Sequence, residues 1–394
     1  MKVKFGDVLY IKGRIGWQLL KKHEYLSSGD YYLVTGVDIT DTHRINFDQC
    51  YFVSKERYEM DDKIQLRVGD IIVTKDGTIG KIGIIDKLDK PATLNSHLFL
   101  IRNERTDILD TNYLFQILRS ESFQKFASNN TSGSNIPAFT QANITNFEID
   151  LPPLEEQIEV SKTLKDIDEK IINNDKIIAE LESMAKTLYD YWFLQFEFPN
   201  EEGKPYKSSG GKMVYNEELK REIPEGWILK HAVDIAEIKT GKEDANHSTE
   251  NGEYPFFTCS NDILKCDDYK FDSNSILIAG NGDFNVKHYK GKFNAYQRTY
   301  VITPFNEKYI GLFELCCKQT IERFKKGSNG SIVKFITLGD IQNIQMIDSG
   351  HDDLLKPFND VLVKIDVIKK ENQELASLRD FLLPMLMNGQ VTFK

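Results

Sequence analysis

LEEQIEVSKTLKDIDEKIINNDKIIAELESMAKTLYDYWF, residues Leu154–Phe193, is the stretch on which this chain's architecture turns. Apolar residues recur in it at seven-residue spacing. Leu164, Ile171, Ile178, Ala185 and Trp192 form one series, and Ile167, Asn174, Leu181 and Leu188 an interleaved one. Steps of three and four place both series along one side of an α-helix, the seam of a coiled coil. Pro152 and Pro153 stand just ahead, where a missing N–H costs little, and Glu155 and Glu156 suit the positive helix N-terminus. At ~1.5 Å per residue, about 39 residues predict a rod of roughly 58 Å, and a seam of that length needs a partner helix.

The sequence supplies that partner by repetition. GSNIPAFTQANITNFEI (133–149) lies over GSIVKFITLGDIQNIQM (330–346) at an offset of 197, with Phe139 and Phe147 against Ile336 and Ile344. The second copy leads into DLLKPFNDVLVKIDVIKKENQELASLRDFLLPML (353–386), whose seam is Leu354, Val361, Ile368, Leu375 and Leu382. Ile167-Asp168 matches Ile365-Asp366 and Asn174 matches Asn372 at an offset of 198, while Glu180-Leu181 matches Glu374-Leu375 at 194. The expected fold is α+β: two β-rich mixed domains separated by a long antiparallel two-helix coiled coil, with an internal pseudo-two-fold repeat. An Asn near the middle of each seam would set the register at some cost in stability.

The boundaries read as a first domain over 1–153, a first spacer helix over 154–194, a linker over 195–226, a second domain over 227–351, and a second spacer helix with tail over 352–394. Short apolar runs bounded by turn residues make both domains β-leaning, as in YYLVTGV (31–37) and GDIIVTKDGTIGKIGII (69–85). A helix is expected over 110–127, burying Tyr113, Phe115, Leu118 and Phe126, and another over 309–326. Polar loops follow them, SNNTSGSN (128–135) and GSNGS (327–331). The stretch 195–226 is polar and turn-rich without periodicity.

At 394 residues the chain exceeds one ordinary core. It is 40% hydrophobic and 28% charged, with no run of about 18 apolar residues and no apolar leader in MKVKFGDVLYIKG. The five cysteines form no CxxC pair and no Cys/His group with zinc spacing, so free thiols in a reducing cytoplasm are expected, with no metal site. The net charge is −10, but residues 154–194 hold 10 acidic and 5 basic residues, whereas 1–153 hold 20 and 19, and 227–351 hold 16 and 15. A global cationic field is therefore excluded, although one basic face on a near-neutral domain is not.

No catalytic constellation is present: no GxxxxGK[ST], HExxH, GxSxG or Cys/His set. Leu-Pro-Pro-Leu at 151–154 precedes a helix without any glycine-rich cofactor loop, so it is not read as a methyltransferase motif. What does stand out is a polar, glycine-bearing segment in matching places of the two halves. In the first half it is Lys75-Asp76-Gly77-Thr78-Ile79-Gly80-Lys81. In the second it is Gly280-Asn281-Gly282-Asp283-Phe284-Asn285, followed by Lys287, Tyr289, Gln297 and Arg298. Lys and Arg pair with phosphates, Arg, Asn and Gln can read purine edges, and glycine lets backbone N–H groups approach a phosphate. Plain hairpin turns with a solvated face would look the same.

With these strings the chain resembles the specificity subunit of type I restriction–modification systems. The resemblance rests on GRIGWQ (13–18), YYLVTGVDI (31–39) and LRVGDIIVTKDGTIGKIGII (66–85) in the first half. In the second it rests on IPEGW (223–227), EIKTGKEDAN (237–246), GEYPFFTCSN (252–261), LIAGNGDFNVKHY (277–289) and GKFNAYQRTYV (291–301). LPPLEEQ (151–157) and LRDFLLPMLMNGQV (378–391) match the family's helix boundaries. The first half departs from the pattern in lacking a copy of PEGW.

The resemblance implies a non-catalytic DNA-reading scaffold. Each domain would read half of a split, asymmetric duplex sequence, and the paired helices would set the spacer and dock two modification subunits. Those partners, with S-adenosylmethionine, would methylate adenine N6. Two restriction subunits would use ATP and Mg2+, leaving no cofactor on this chain. Chemistry and resemblance together nominate Lys75, Gly77, Thr78 and Lys81, then Asn281, Lys287, Tyr289, Gln297 and Arg298, as DNA-binding residues. Leu164, Ile171, Asn174, Ile178, Leu181 and Leu188 would pack against Val361, Ile368, Asn372, Leu375 and Leu382 in the helix seam. The competing expectations are a protein-interaction scaffold with coiled-coil arms, and a methyltransferase or nuclease with fused recognition domains.

Overall fold

The computed structural model describes residues 1–14, 20–132, 138–327, 335–387 and 390. Most of GRIGWQ, the ends of both polar loops, the start of each repeated segment and most of the tail after Met387 lie outside the described residues. The chain divides into two units, Met1–Asn174 with Glu371–Lys394, and Asp175–Lys370. Both boundaries fall inside the long helices, so each unit holds one globule and one half of the helix pair.

In the first unit, four antiparallel strands run in the order β1 (Leu9–Gly13), β7 (Leu98–Asn103), β4 (Ile71–Thr74), β5 (Ile82–Ile84). A smaller sheet joins β3 (Tyr51–Phe52), β2 (Tyr32–Val34) and β6 (Ala92–Leu94), with β2 and β6 parallel. Ile71, Ile72 and Val73 are all buried, because both faces of β4 are covered. The helix expected over 110–127 forms as two, α1 (Thr111–Arg119) and α2 (Glu121–Asn129). Asp110 caps the first, accepting the N–H of Tyr113 at 2.8 Å. Ser120, extended at ψ 149°, ends that helix and caps the second by accepting the N–H of Phe123. The break lets Phe123 and Phe126 join a ring cluster with Phe5, Phe139 and Phe147.

The long helices are α3 (Leu154–Tyr189) and α5 (Asp352–Met387). Within the first unit they are antiparallel: Asp168 meets Arg379 at 3.1 Å, and further along α3 Asn174 meets Asn372 at 2.8 Å. Leu164 is buried, Leu382 packs on the same core, and Ile171 and Leu375 are half-buried. The seam departs from its expected register on both helices: in α5 Leu362, Ile365, Leu383 and Leu386 are buried, while Val361, Ile368 and Leu382 beside them are half-buried. In α3 Ile167 is half-buried and Asp168 takes the interior position, which a carboxylate can do because Arg119 and Arg379 both reach it. The start of α3 is pinned by Gln157, whose amide donates to the carbonyls of Ile108 and Pro152 at 2.9 Å and accepts the N–H of Asp110 at 3.0 Å. That accounts for the glutamine of LPPLEEQ.

The second unit contains a six-stranded sheet in the order β8 (Ala236–Thr240), β13 (Thr299–Pro304), β11 (Phe271–Ala279), β12 (Val286–Ala295), β9 (Tyr254–Phe257), β10 (Ile263–Cys266). Its first four strands repeat the order β1-β7-β4-β5 of the first unit. The helix α4 (Ile310–Gly327) follows the strand β13 as α1 follows β7. Ala185 is buried here, and Leu188, Trp192 and Val361 pack against the same core, while Ile178, Leu181 and Ile368 are half-buried. The stretch 195–226, expected as a polar, turn-rich linker, is folded onto the second unit. Phe196, Phe198 and Ile223 are buried around Trp227, Phe198 stacking on it at 4.6 Å, and Met213–Asn216 pairs with Arg221–Pro224. Phe196, Phe198 and Ile223 make no period, yet one buried indole gathers them. Among the described residues no helix is long and apolar enough to cross a membrane.

Candidate nucleic-acid interface

The two segments singled out in the sequence are both hairpin tips, one joining β4 to β5 and the other β11 to β12. Two equivalent pairs of backbone hydrogen bonds show that they occupy the same place. The N–H of Lys75 donates to the carbonyl of His97 at 3.0 Å, and the N–H of Gly280 to that of Arg298 at 2.8 Å. The N–H of Phe139 donates to the carbonyl of Lys75, and the N–H of Ile336 to that of Gly280, both at 2.8 Å. Thr74 pairs with Leu98 in register, as Ala279 does with Thr299. Phe139 and Ile336 are the residues aligned by the sequence repeat. Just beyond them Thr140 and Thr337 each cap a short helix, accepting the N–H of Asn143 and Asp340 at 3.2 Å.

In the first tip, Thr74 Oγ1 accepts the N–H of Lys81 at 2.9 Å and donates to the carbonyl of Thr78. Gly77 has φ +67° in open space and Thr78 is exposed. Gly80 has φ +83°, and a Cβ there would stand 2.8 Å from Gln124 Oε1, so the turn requires glycine at this point. Lys75 lies with Nζ 5.3 Å from the centre of the Phe99 ring, and burial lowers its pKa, the neighbouring Asp76 opposing.

In the second tip, Asn285 Nδ2 donates to the carbonyl of Cys259 at 3.0 Å and Gly282 takes φ +68°. Asn281 is half-buried, and Lys287 donates to the carbonyl of Ser260, with burial lowering its pKa. Gln297 and Arg298 are exposed on the turn before β13, where Gln297 Nε2 donates to Asp244 at 3.1 Å. They line a cleft with Thr240, Gly280, Tyr300 and the exposed Phe335. Tyr289 stands on β12, half-buried, with its ring packed on Phe257 and Phe293 at 5.3 and 5.7 Å.

Residues the sequence reading missed lie beside these. His97 is the first-unit counterpart of Arg298, and Thr240 and Phe335 reach the second tip from 40 or more positions away. Only strand pairing brings them there, and no local pattern marks them. The described residues also bring His247, Cys266 and Asp268 within 4.8 Å, which cysteine spacing gave no reason to expect. Their atoms are engaged with one another. His247 Nε2 is 2.7 Å from Asp268, Cys266 donates to the main-chain oxygen of Asp268 at 3.0 Å, and Lys270 lies 3.2 Å from the same carboxylate. A lysine in contact with one prospective ligand makes this a poor cradle for a divalent cation.

The family described as type I restriction modification DNA specificity domain matches residues 1–183 and 224–347. The EcoDI specificity subunit of Escherichia coli is 33% identical over 177 residues, which is 43% of this chain and 40% of that relative's length. The MjaIX specificity subunit of Methanocaldococcus jannaschii is 26% identical over 388 residues, spanning 90% of this chain and 86% of the relative. A crystal structure of the S subunit of a type I restriction–modification system from M. genitalium shares the fold, with a TM-score of 0.58 at 18% identity over 98% of this chain and 95% of that one. The repeated hairpin frame and the match over both repeats lead to one conclusion: this chain belongs to the type I restriction–modification DNA specificity family.

Proposed function

We infer that this chain is the non-catalytic, sequence-reading subunit of a type I restriction–modification complex in the cytoplasm. Each globule reads one half of a bipartite, asymmetric site in double-stranded DNA, and the antiparallel helices set the spacer and dock two modification subunits. Those partners carry S-adenosylmethionine and methylate adenine N6. Two restriction subunits, with ATP and Mg2+, complete the assembly, and no cofactor belongs to this chain. One observation carries the reading: the two repeats hold hairpin tips in the same backbone frame but furnish them with unlike side chains, Lys75 and His97 in one and Gly280 and Arg298 in the other. A shared scaffold with divergent tips is what two different half-sites require. The tips supply both kinds of contact that duplex recognition uses, cations for phosphates and Gln297 and Arg298 for base edges.

Methylome sequencing of a host carrying this chain with its modification subunit tests the proposal. A bipartite adenine-methylated motif appears only when the chain is present. Replacing Gln297 or Arg298 with Ala weakens recognition of one half-site by ~1–3 kcal/mol. Equal loss on both half-sites refutes the placement of these residues, and S-adenosylmethionine binding by the isolated chain refutes the non-catalytic reading.

A further inference from the structure

Gly280 and Lys75 are equivalent by their bonds to Ile336 and Phe139, and across the sheet from them stand Arg298 and His97. Each of those two residues gives its carbonyl to the tip and immediately precedes the strand that pairs with it, β13 or β7. Both side chains face solvent: Arg298 is exposed, and the His97 side chain is 59% exposed. His97 is also oriented. Its Nδ1 lies 2.8 and 2.9 Å from the two oxygens of Asp76, the residue after Lys75. A carboxylate can only accept, so Nδ1 carries the proton and Nε2 is the nitrogen left to face outward.

We propose that His97, held by Asp76, is the base-reading residue of the first domain, in the position that Arg298 occupies in the second. The inference rests on the DNA-reading function above and extends it to a residue with no cationic or repeat signature. The two readers differ in chemistry. Arg298 offers a fork of donors that matches O6 and N7 of guanine. In its neutral form the imidazole of His97, with Nδ1–H committed to Asp76, offers one lone pair at Nε2, which accepts from an exocyclic amine on a base edge in the major groove. Equivalent placement with unlike chemistry gives the two half-sites different letters at corresponding steps.

The test uses the full chain with its modification subunit in a host, read by methylome sequencing. With His97→Ala, one position of one half-site becomes degenerate, and methylation of sites with other bases there rises about tenfold or more. Arg298→Ala does the same in the other half-site. Asp76→Asn, which leaves the ring in place but loosens its orientation, relaxes the same position as His97→Ala to a smaller degree. The inference is overturned if His97→Ala leaves both half-sites intact, or relaxes the half-site that Arg298→Ala relaxes. Loss of all methylation by His97→Ala, where Asp76→Asn keeps an unaltered motif, also overturns it. Should the unaltered chain produce no bipartite motif, the DNA-reading function fails first, and the two failures are distinguished.

Discussion

Asn174 Nδ2 donates to Oδ1 of Asn372 at 2.8 Å and to Oε2 of Glu371 at 2.7 Å, a polar clasp between α3 and α5 within the first unit. Asn174 is buried, 1% exposed, between the seam positions Ile171 and Ile178 along α3. A buried amide that finds its partner in only one alignment specifies register and costs stability. Asn174→Leu is expected to destabilise the protein by ~1–2 kcal/mol, because Glu371 and Asn372 then face an apolar side chain. Asn174→Leu with Asn372→Leu should recover that loss in urea denaturation. Spin labels on the two helices should then report more than one distance, where the native pair reports one.

A second clasp is ionic. Asp168 lies 2.5 Å from Nη1 of Arg119 on α1 and 3.1 Å from Nη1 of Arg379 on α5. The carboxylate and the Arg119 guanidinium are nearly inaccessible, so removing one partner leaves a charge without compensation. Asp168→Asn is expected to cost ~3–5 kcal/mol in the first unit. The exposed pair Lys125–Glu121 should contribute under about 1 kcal/mol when either member is replaced. Thermal unfolding of the two variants side by side checks the contrast.

Lys75 and Lys287 stand in the two tips, and burial lowers the pKa of both. A phosphate beside either would raise it again. Lys75→Met and Lys287→Met should each weaken duplex binding for every sequence alike. Each should reduce the slope of log affinity against log salt by about 1. Fluorescence anisotropy at several salt concentrations measures the slope. An unchanged slope removes that lysine from the phosphate contacts.

His43 predicts a pH effect on stability. Burial lowers its pKa, with Arg119 nearby acting in the same direction, and its Nδ1 lies 2.9 Å from the carbonyl of Ile82. A histidine whose folded pKa lies below its unfolded one binds more protons when unfolded. Stability is therefore complete above the ordinary histidine pKa and falls as pH drops through it. Its backbone has φ 57°, a conformation that asparagine tolerates. His43→Asn should flatten the decline in melting temperature between pH 7 and pH 5, and a decline of unchanged steepness would exclude His43 as its source.

How much was legible in advance depended on the range of the interactions. The heptads, the offset repeat and the polar, glycine-bearing segments are patterns in the sequence itself. They were enough to identify two long helices, two related globules and the two hairpin tips, because a helix face and a turn are written in neighbouring residues. Asp168 escaped the heptad reading because its place in the seam depends on Arg119 and Arg379, which are 49 and 211 positions away. The fold of 195–226 escaped because its signal is one indole gathering Phe196, Phe198 and Ile223. His97 escaped because only the pairing of β4 with β7 places it opposite Lys75, where Asp76 can hold its ring. Periodicity, repeats and turn chemistry belong to the sequence itself. Which charge is buried, which polar segment folds and which side chain stands at a tip are settled by contacts between residues far apart, and those exist only once the sheets and helices have closed.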